Sequence, residues 1–376
     1  MSKRKQKLLI VTDYFYPHWT GYAKSLYYLI QSISKYYSIS ILTVRYNKSL
    51  KKHERIFSSE IIREDYLFSL SRSKYSIQLL FKFLFLVIRC DVVFINSPCT
   101  NILPLSLIAK TFGKKFYIFN QGDLILPKTI FNKIIEKVFD ASSYISFLLA
   151  DKLSSYTKDY ASYSRLLRHF MYKFSPLLLP IDPLYFKRKQ QSNRLVNKKN
   201  KILFGFAGRF VEEKGFDVLF SAIPLIKKKI SNAHYYFAGE TNMGYEDFYK
   251  KNLSLLNNVR KEITFLGLLD DKRLKAFYEK IDFIIIPSRS DCFNLIQAEA
   301  MLCGTPSIVS NIPGLRVLVK ETGFGVLFEK ENPQDLAKKI IDAVGKRNAI
   351  IIKYKKVKSV LNNTANVKKI REFIEK

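Results

Sequence analysis

Short apolar runs alternate with longer helical patterns along most of the chain, and this alternation limits the possible folds more than any other feature. The first apolar run is Leu8–Val11, and a helix is predicted from Ala23 to Tyr36. Further apolar runs follow at residues 38–44, 91–95 and 115–119. Strands that are separated by helices need crossover connections, and these produce a parallel sheet. We therefore predict an α/β fold.

The alternation stops over residues 187–200 and then begins again. This intervening segment reads KRKQQSNRLVNKKN and has almost no apolar residues, so it cannot contribute to a core. A chain of 376 residues is long enough for two domains. We predict an N-terminal Rossmann-like domain, a basic linker, a C-terminal Rossmann-like domain, and a helical tail that packs back toward the N-terminal domain, at residues 1–186, 187–200, 201–350 and 351–376.

Two Rossmann-like domains of this kind are expected to face each other across a cleft. In open parallel sheets, ligands bind beyond the carboxyl ends of the strands. The residues that bind a ligand should therefore lie in the loops that directly follow the predicted strands.

The charge balance points to an anionic partner. The chain has 63 Lys and Arg against 32 Asp and Glu, a formal net charge of +31. Nucleic acid, an acidic membrane surface and a phosphorylated substrate would each fit such a charge, which alone does not choose among them. The sequence has no zinc-finger spacing, no RRM signature and no recognisable recognition helix, so no nucleic-acid partner is expected.

Two apolar segments bear on localisation. The run Leu8–Val11 is shorter than the apolar core of a signal peptide, which takes about 7–15 residues. The segment Ile77–Ile88 contains Lys82 and is shorter than the roughly 20 residues of a spanning helix. The four cysteines form no CxxC pair, which favours a reducing compartment. We expect a cytoplasmic protein without a transmembrane helix.

The first motif is FAGRFVEEKGF at residues 206–216, where an apolar strand runs into Gly208 and Arg209 and a helix is predicted to begin after Lys214. An arginine can bind two phosphate oxygens at once, and a lysine adds a point charge. Each such charge-assisted hydrogen bond contributes about 1.5–3 kcal/mol. A diphosphate is the ligand that fits this arrangement, and two solvated loop cations are the alternative.

The second motif is PSRSDCFNLIQAEAMLCGTPSIVS at residues 287–310. A predicted strand ends near Pro287, a loop contains Asp291, and a helix that includes Glu299 follows. The first amides of a helix attract anions, so the backbone of Phe293, Asn294 and Leu295 is a candidate site for phosphate or sugar oxygens. The alternative is that Asp291 caps the helix and that Glu299 is an exposed helical glutamate.

Together the two motifs resemble the GT4 family of retaining glycosyltransferases, which have the GT-B fold. The pattern is GRxxxxKG, then an acidic residue about 80 positions later, a glutamate eight residues after it, and AMxxGxP. The resemblance implies that Arg209 and Lys214 bind the donor diphosphate, Asp291 the transferred sugar, Glu299 the ribose, and Leu269 in FLGLLDD the base. It makes Arg209, Lys214 and Asp291 the catalytic candidates, and Gly208 and the amides after Asp291 donor contacts.

The N-terminal half resembles the family less closely. In LLIVTDYFYPHWTGYAKS, Gly21 would let the backbone approach the donor, and His18 is a candidate acceptor contact. Relatives usually have a second glycine where this chain has Thr20. In YIFNQGDL, Gln121 and Asp123 are candidates for contacts with the acceptor or the reacting sugar. The alternative for these two residues is a polar turn that caps the next helix.

The resemblance implies a retaining, hexosyltransferase-like enzyme that needs no cofactor beyond its nucleotide-diphosphate sugar. No metal is expected, because the chain has no Asp-x-Asp element, and no dedicated side-chain base is assigned. The chain departs from the family pattern in three ways: Asp291 replaces glutamate, Cys292 and Asn294 replace glycines, and PIDPLYF lacks the common Asn-Gly before its aspartate. These departures leave open a noncatalytic subunit, and a nucleotide-sugar epimerase or a basic nucleic-acid-binding protein are further alternatives.

For the acceptor we expect a lipid-linked glycan of bacterial surface polysaccharide synthesis. The net charge of +31 and the aromatic, lysine-containing segment Tyr75–Arg89 favour contact with anionic lipid on the inner face of the cell membrane. A buried helix of the N-terminal, acceptor-side domain is the alternative interpretation of the same segment.

Overall fold

The computed structural model describes residues 4–70, 73–126, 129–186, 201–241 and 247–375. The predicted linker at residues 187–200 lies outside the described residues. The chain divides into two compact units, one formed by residues 1–180 together with 363–376 and the other by residues 181–362.

The first unit contains an eight-stranded sheet and a two-stranded hairpin. The eight-stranded sheet has the order β10-β9-β8-β7-β1-β2-β4-β3, and only β3 runs antiparallel to its neighbour. The hairpin pairs β5 with β6. The strands are β1 (Lys7–Thr12), β2 (Ser38–Val44), β3 (His53–Ile56), β4 (Ser59–Glu64), β5 (Phe68–Leu70), β6 (Ser73–Tyr75), β7 (Val92–Ser97), β8 (Lys115–Asn120), β9 (Lys152–Ser155) and β10 (Phe174–Pro176).

Helices cover both faces of this sheet, as the alternation in the sequence predicted. Four of them begin at a threonine or serine whose hydroxyl accepts a hydrogen bond from the first turn, namely Thr20, Ser76, Thr129 and Thr157. Residues Leu8 to Val11 of β1 are fully buried, as expected for a parallel strand covered on both sides. The helices are α1 (Gly21–Ile33), α2 (Ile77–Val87), α3 (Ile102–Thr111), α4 (Ile130–Leu149) and α5 (Lys158–Tyr163), with a 3-10 helix at Leu167–Lys173.

The second unit contains a six-stranded, fully parallel sheet with the order β13-β12-β11-β14-β15-β16. Counted from its own first strand this order is 3-2-1-4-5-6, which is the Rossmann order. The order reverses between β11 and β14, and the crevice beyond the carboxyl ends of these two strands is where such sheets bind ligands. The strands are β11 (Ile202–Ala207), β12 (Ala233–Ala238), β13 (Ile263–Phe265), β14 (Phe283–Ile286), β15 (Ser307–Ser310) and β16 (Gly325–Phe328).

Two helices of the second unit follow the two motifs as predicted. Helix α7 begins at Phe216, two residues after Lys214, and α11 begins at Leu295, after Asp291, and includes Glu299. The helices are α6 (Pro183–Phe186), α7 (Phe216–Lys227), α8 (Phe248–Lys251), α9 (Leu253–Asn258), α10 (Asp271–Lys280), α11 (Leu295–Leu302), α12 (Leu315–Thr322), α13 (Pro333–Gly345), α14 (Arg347–Ile351) and α15 (Tyr354–Val360).

The unit boundaries differ from the predicted ones at two places. Helix α6, which was assigned to the N-terminal domain, groups with the second unit because its buried Tyr185 packs its ring 6.0 Å from that of Tyr278. Residues 351–362, which were assigned to the tail, also group with the second unit, where the Tyr354 hydroxyl donates to the Leu302 carbonyl at 2.6 Å.

Of the helices in the predicted tail, only α16 (Asn363–Glu375) groups with the first unit. Lys152 donates its ammonium to the Phe373 carbonyl at 2.8 Å, and the Tyr37 hydroxyl donates to Glu375 at 3.0 Å. The chain thus returns to its first domain at residue 363, twelve residues later than the start of the predicted tail.

Candidate functional site

The two motifs of the C-terminal half lie in the loops that follow β11 and β14, on either side of the point where the strand order reverses. The Arg289 amide donates to the Glu213 carbonyl at 2.7 Å and joins the two loops. Gly215 has a φ of +64°, and a Cβ atom there would stand 2.1 Å from the Pro287 carbonyl oxygen. A side chain at residue 215 would therefore force the loops apart.

Lys214 and Asp291 form an ion pair between these loops. The Lys214 Nζ lies 2.9 Å from Asp291 Oδ2, and both side chains are mostly buried. Burial lowers the pKa of Lys214, but the charges of Asp291 and Glu213 outweigh it, and the pKa lies above its ordinary value of 10.5. Lys214 is therefore a fully charged cation at neutral pH, within the crevice of the second sheet.

Arg209 is the second cation of this loop and is more exposed than Lys214. It follows Gly208, whose φ of +136° turns the chain at the end of β11. An Arg209 nitrogen lies 3.4 Å from Glu213 Oε1, and the same oxygen is 3.6 Å from Lys214 Nζ. Sequence reasoning missed Glu213, which holds both predicted phosphate ligands, although it lies between them in the motif.

Asn294 is the residue that caps α11. Its Oδ1 accepts from the Gln297 amide at 3.0 Å, and its Nδ2 donates to Asp291 Oδ2 at 2.9 Å. The alternative in which Asp291 is the helix cap is therefore wrong, because Asn294 takes that position. Leu295 occupies the first turn of the helix, where the amides have no acceptor within the helix itself. Phe293, which precedes the cap, is buried.

Glu299 lies inside the second unit rather than on its surface. Its side chain belongs to a residue that is 2% exposed, and its Oε2 accepts a hydrogen bond from the Tyr278 hydroxyl at 3.0 Å. Burial, and then the charge of Glu299, raise the pKa of Tyr278 well above its ordinary value, so this hydroxyl stays protonated and donates. The alternative of an exposed helical glutamate is wrong, and the role of Glu299 toward a ribose stays a prediction.

The predicted base-binding loop follows the edge strand β13. The Gly239 amide, which follows β12, donates to the Gly267 carbonyl of this loop at 2.9 Å. The Gly208 amide, which follows β11, donates in turn to the Ala238 carbonyl at the end of β12 at 3.0 Å. Leu269 is half-buried in this loop, directly before Asp270, which caps α10. The loops of β11, β12 and β13 thus end at the same edge of the sheet.

Two further residues hold the site together, and the sequence analysis did not single them out. Arg289 donates two hydrogen bonds to the Asp217 carboxylate, at 2.9 and 2.7 Å, and one to Glu331 at 2.7 Å. Gly314 has a φ of +81°, and a Cβ atom there would stand 2.3 Å from the Cys292 carbonyl oxygen. The glycine in IPGLR, just before α12, was the available signal for this close approach.

Two predicted residues of the first half, His18 and Gly21, lie beyond the carboxyl end of β1. Thr20 caps α1 through a 3.2 Å hydrogen bond from the Ala23 amide, and Gly21 is the exposed first residue of that helix. The unexpected threonine therefore starts the helix. The His18 ring stacks on Tyr14 at a centroid distance of 4.8 Å and packs against Tyr46 at 4.7 Å.

Gln121 and Asp123 are engaged in contacts within the first unit. Gln121 donates to the Asn96 side chain at 2.8 Å and accepts from Ser25 and Tyr156, both at 2.9 Å; it also donates to a backbone carbonyl of α1. Its amide therefore joins β7, β8 and α1 in one buried network.

Asp123 binds the segment after α5. Its two carboxylate oxygens accept from the Ser164 hydroxyl at 2.7 Å and the Arg165 amide at 2.8 Å. Neither Gln121 nor Asp123 caps the next helix, whose cap is Thr129, and their role toward an acceptor stays a prediction.

The chain is similar to known glycosyltransferases in sequence and in fold. Residues 187–359 match the family model described as glycosyl transferases group 1. An uncharacterised glycosyltransferase of Methanocaldococcus jannaschii is 34% identical over 132 residues, which are 35% of this chain and 33% of that protein. The chain thus matches about a third of the length of this curated relative.

Solved structures match over nearly the whole chain. Sucrose-phosphate synthase from Thermosynechococcus elongatus has a TM-score of 0.79 at 15% identity, covering 99% of this chain and 98% of that one. Anabaena HepE in complex with UDP-glucose has a TM-score of 0.76 at 14% identity, covering 98% and 99%. At such identities the match shows the fold alone, which is the predicted α/β fold of GT-B glycosyltransferases.

Residues 187–359, a little under half of the chain, match the group 1 glycosyltransferase family, and over these residues the resemblance seen in the motifs is confirmed. The family segment contains Arg209, Lys214, Asp291 and Glu299. The first three lie in the loops after β11 and β14, two strands of one parallel sheet, and Glu299 lies in α11. No helix among the described residues is both long and apolar enough to cross a membrane.

Proposed function

We propose that the protein transfers a sugar from a nucleoside diphosphate sugar to a glycan acceptor, with retention of anomeric configuration. The observation that supports this most is the position of Lys214 and Arg209, which follow β11 beside the start of α11 at the point where the strand order reverses. Two cations and a helix N-terminus together form a site for a doubly charged anion.

In this proposal the leaving diphosphate gains negative charge as the bond to the anomeric carbon breaks. Lys214 and Arg209 stabilise that charge from fixed positions, because Glu213 and Asp291 hold their side chains. Asp291 accepts hydrogen bonds from hydroxyls of the transferred sugar. The acceptor attacks from the side of the leaving group and passes its proton to a phosphate oxygen, so no side-chain base is required.

A divalent metal is not part of the proposed reaction, because Arg209 and Lys214 supply the positive charge beside the diphosphate. UDP-glucose is the first donor to test, because it is the compound bound in the HepE structure. Turnover that is unchanged by EDTA would support this form of the proposal, whereas a loss that is restored by added magnesium would contradict it.

We also propose that the protein rests on anionic membranes and uses a lipid-linked acceptor. Helices α2, α3 and α4 lie on one face of the first sheet, because the crossovers into β7, β8 and β9 all run in the same direction. Along α4 an apolar stripe faces outward, and its first residue, Ile130, is 83% exposed. The stripe consists of Ile130, Ile134, Val138, Ile145 and Leu148, and α2 adds Ile77, Phe81 and Phe85.

The same helix also contains two exposed lysines, Lys133 and Lys137. An apolar stripe beside lysines is the pattern of a helix that inserts shallowly into an anionic interface. Cosedimentation with vesicles of phosphatidylglycerol should fall strongly in the double variant Ile134→Asp, Val138→Asp. The control is Ile352→Asp, at a still more exposed position of the second unit. Binding that is the same in all three proteins would contradict this part.

Transfer itself is tested with purified protein, a panel of nucleotide sugars and lipid extracts as acceptors. Proton NMR of the product should give the anomeric coupling of the donor, and an inverted product would contradict retention. Asp291→Glu, which restores the residue usual in the family, should change the relative use of different sugars. Binding of a donor without transfer or hydrolysis would instead support the noncatalytic subunit, and release of an altered sugar nucleotide would support the epimerase.

A further inference from the structure

The loop between β1 and α1 is rich in aromatic side chains. Trp19 packs its ring 5.5 Å from that of Tyr16 and 5.1 Å from that of Tyr27, and both contacts are close to perpendicular. Tyr14 and His18 stack in the same loop. The rings pack in two groups, one of Tyr16, Trp19 and Tyr27 and one of Tyr14, His18 and Tyr46, and together we call them the β1 aromatic cluster.

Trp19 is the most exposed member of this cluster. About half of its surface, 51%, is accessible to solvent, and it is the only tryptophan of the chain. Its neighbours Tyr16 and Tyr27 fix the plane of the indole while leaving much of it in water. An indole held in this way stabilises the core little, but it presents a rigid apolar surface to a ligand.

A buried arginine holds the loop in place. Arg63 of β4 is 1% exposed, and its guanidinium donates to the Tyr16 carbonyl at 2.8 Å and to the Lys51 carbonyl at 3.0 Å. Glu54 neutralises it at 2.8 Å. A buried charge is costly unless it is paired and hydrogen-bonded. One of the hydrogen bonds of Arg63, to the Tyr16 carbonyl, fixes the backbone of the loop that contains Trp19. The cluster is therefore preorganised, as a binding site requires.

The position of the cluster is also that of a ligand site. In the first sheet the strand order reverses between β1 and β7, as it does between β11 and β14 in the second. The loops after β1 and β7 are joined at this point, because Asp13 accepts from the Thr100 amide at 2.8 Å and from its hydroxyl at 2.6 Å. The β1 aromatic cluster thus borders the crevice where a parallel sheet binds its ligand.

We infer that Trp19 is a stacking platform for a pyranose ring of the acceptor glycan, an inference that rests on the proposed function. The C–H groups on the apolar face of a sugar are attracted to the negative face of an indole. The guanidinium of Arg63 is buried and engaged by two carbonyls and Glu54, so it offers no cation to a phosphate, and the cluster suits a neutral sugar ring better. Trp19 is a specificity residue in this account, and Arg63 and Tyr16 are positioning residues.

The single tryptophan makes the inference directly measurable. Tryptophan fluorescence of the wild-type protein is titrated with methyl glycosides of glucose, galactose, mannose and N-acetylglucosamine, with glycerol as the control. At least one glycoside should change the emission saturably and reduce quenching by acrylamide about twofold, because a stacked ring covers one of the two indole faces. No change with any glycoside would overturn the inference.

Saturation-transfer NMR with the same glycosides tests the residue itself. Trp19→Ala should weaken binding of the responding glycoside about five- to tenfold, and Trp19→Phe should retain part of it, because a smaller ring still stacks. Tyr172→Ala is the control, since Tyr172 is an exposed aromatic of the first unit outside the cluster, at 77% against 51% for Trp19. Equal affinity in Trp19→Ala and the wild type would also overturn the inference.

A donor titration separates the two proposals. If UDP-glucose or free UDP binds the wild-type protein while no glycoside affects Trp19, the platform is wrong and the proposed function stands. If neither donor nor glycoside binds, the proposed function fails first. Circular dichroism of Trp19→Ala confirms that the variant is folded, and if it is not, the quenching of the wild type and the Trp19→Phe variant decide the question.

Discussion

The ammonium of Lys214 lies 2.9 Å from the carboxylate of Asp291, so two residues 77 positions apart are joined across the crevice of the second sheet. One is the predicted ligand of the donor diphosphate and the other the predicted contact of the transferred sugar. Their ion pair bridges the loops after β11 and β14. The proposed donor would bind beside these two loops.

Loss of one partner of this pair should destabilise the fold. Lys214→Met or Asp291→Asn alone leaves a mostly buried charge without its partner, and we expect each to cost about 1–3 kcal/mol of unfolding free energy. The double variant should cost less than the sum of the two, because neither charge is then left alone. Urea unfolding of the four proteins measures this coupling, and strictly additive losses would contradict it.

The pair should also be visible in the titration of Lys214. Its pKa is raised above 10.5, so the stabilisation from its charge is complete below the ordinary lysine value and is lost as pH rises through the higher, folded-state value. Carbon-13 NMR of labelled lysine Cε atoms should show Lys214 titrating after the exposed lysines. Asp291→Asn should move its titration to lower pH, and the absence of such a movement would mean that Asp291 does not hold the charge.

Glu299 offers a test of the predicted ribose contact. Glu299→Gln should raise the KM for the donor severalfold if the carboxylate binds ribose hydroxyls, because the amide is a weaker acceptor. Tyr278→Phe removes the hydroxyl that bonds to Glu299 and is the matched control for a purely structural role. A KM change that is equal in both variants, together with equal losses of melting temperature, would assign Glu299 to the core.

Asn294 should act mainly through the start of α11. Asn294→Ala removes the cap of the helix and should cost about 1 kcal/mol of unfolding free energy, whereas Asn294→Gly, the residue usual in the family, should cost only a few tenths. Thermal unfolding distinguishes the two variants. If the alanine and glycine variants are equally stable, the hydrogen bond to the Gln297 amide contributes nothing, and the departure from glycine needs another explanation.

Much of the fold could be predicted from the sequence because parallel strands carry a local signal. Runs such as SISILTV and DFIIIPS are apolar on both faces and are separated by helix-length segments, so the strands at 38–44 and 283–286 lie where they were expected. The unit boundaries were less predictable, because the packing of Tyr185 on Tyr278 and of Tyr354 near Leu302 is made between residues far apart in sequence.

The candidate site divides in the same way. The spacing of Arg209, Lys214, Asp291 and Glu299 could be recognised, since it follows strand ends and a helix. The partners of these residues could not, because Glu213 and Tyr278 have no motif of their own and act through three-dimensional contact. Gln121 is a different case, since its polar character at a strand end suggested a ligand, and the hydrogen bonds of its amide to Ser25, Asn96 and Tyr156 could not be predicted from the sequence.

The central claim is that Lys214 and Arg209 bind a nucleoside diphosphate, and isothermal calorimetry tests it most directly. Free UDP, ADP and GDP and the corresponding sugar nucleotides are titrated into the wild-type protein, Lys214→Ala, Arg209→Ala and the surface control Lys228→Ala. At least one diphosphate should bind the wild type and the control equally and each site variant about ten- to a hundredfold more weakly. Binding of equal strength in all four proteins, or no heat with any compound, would contradict the account.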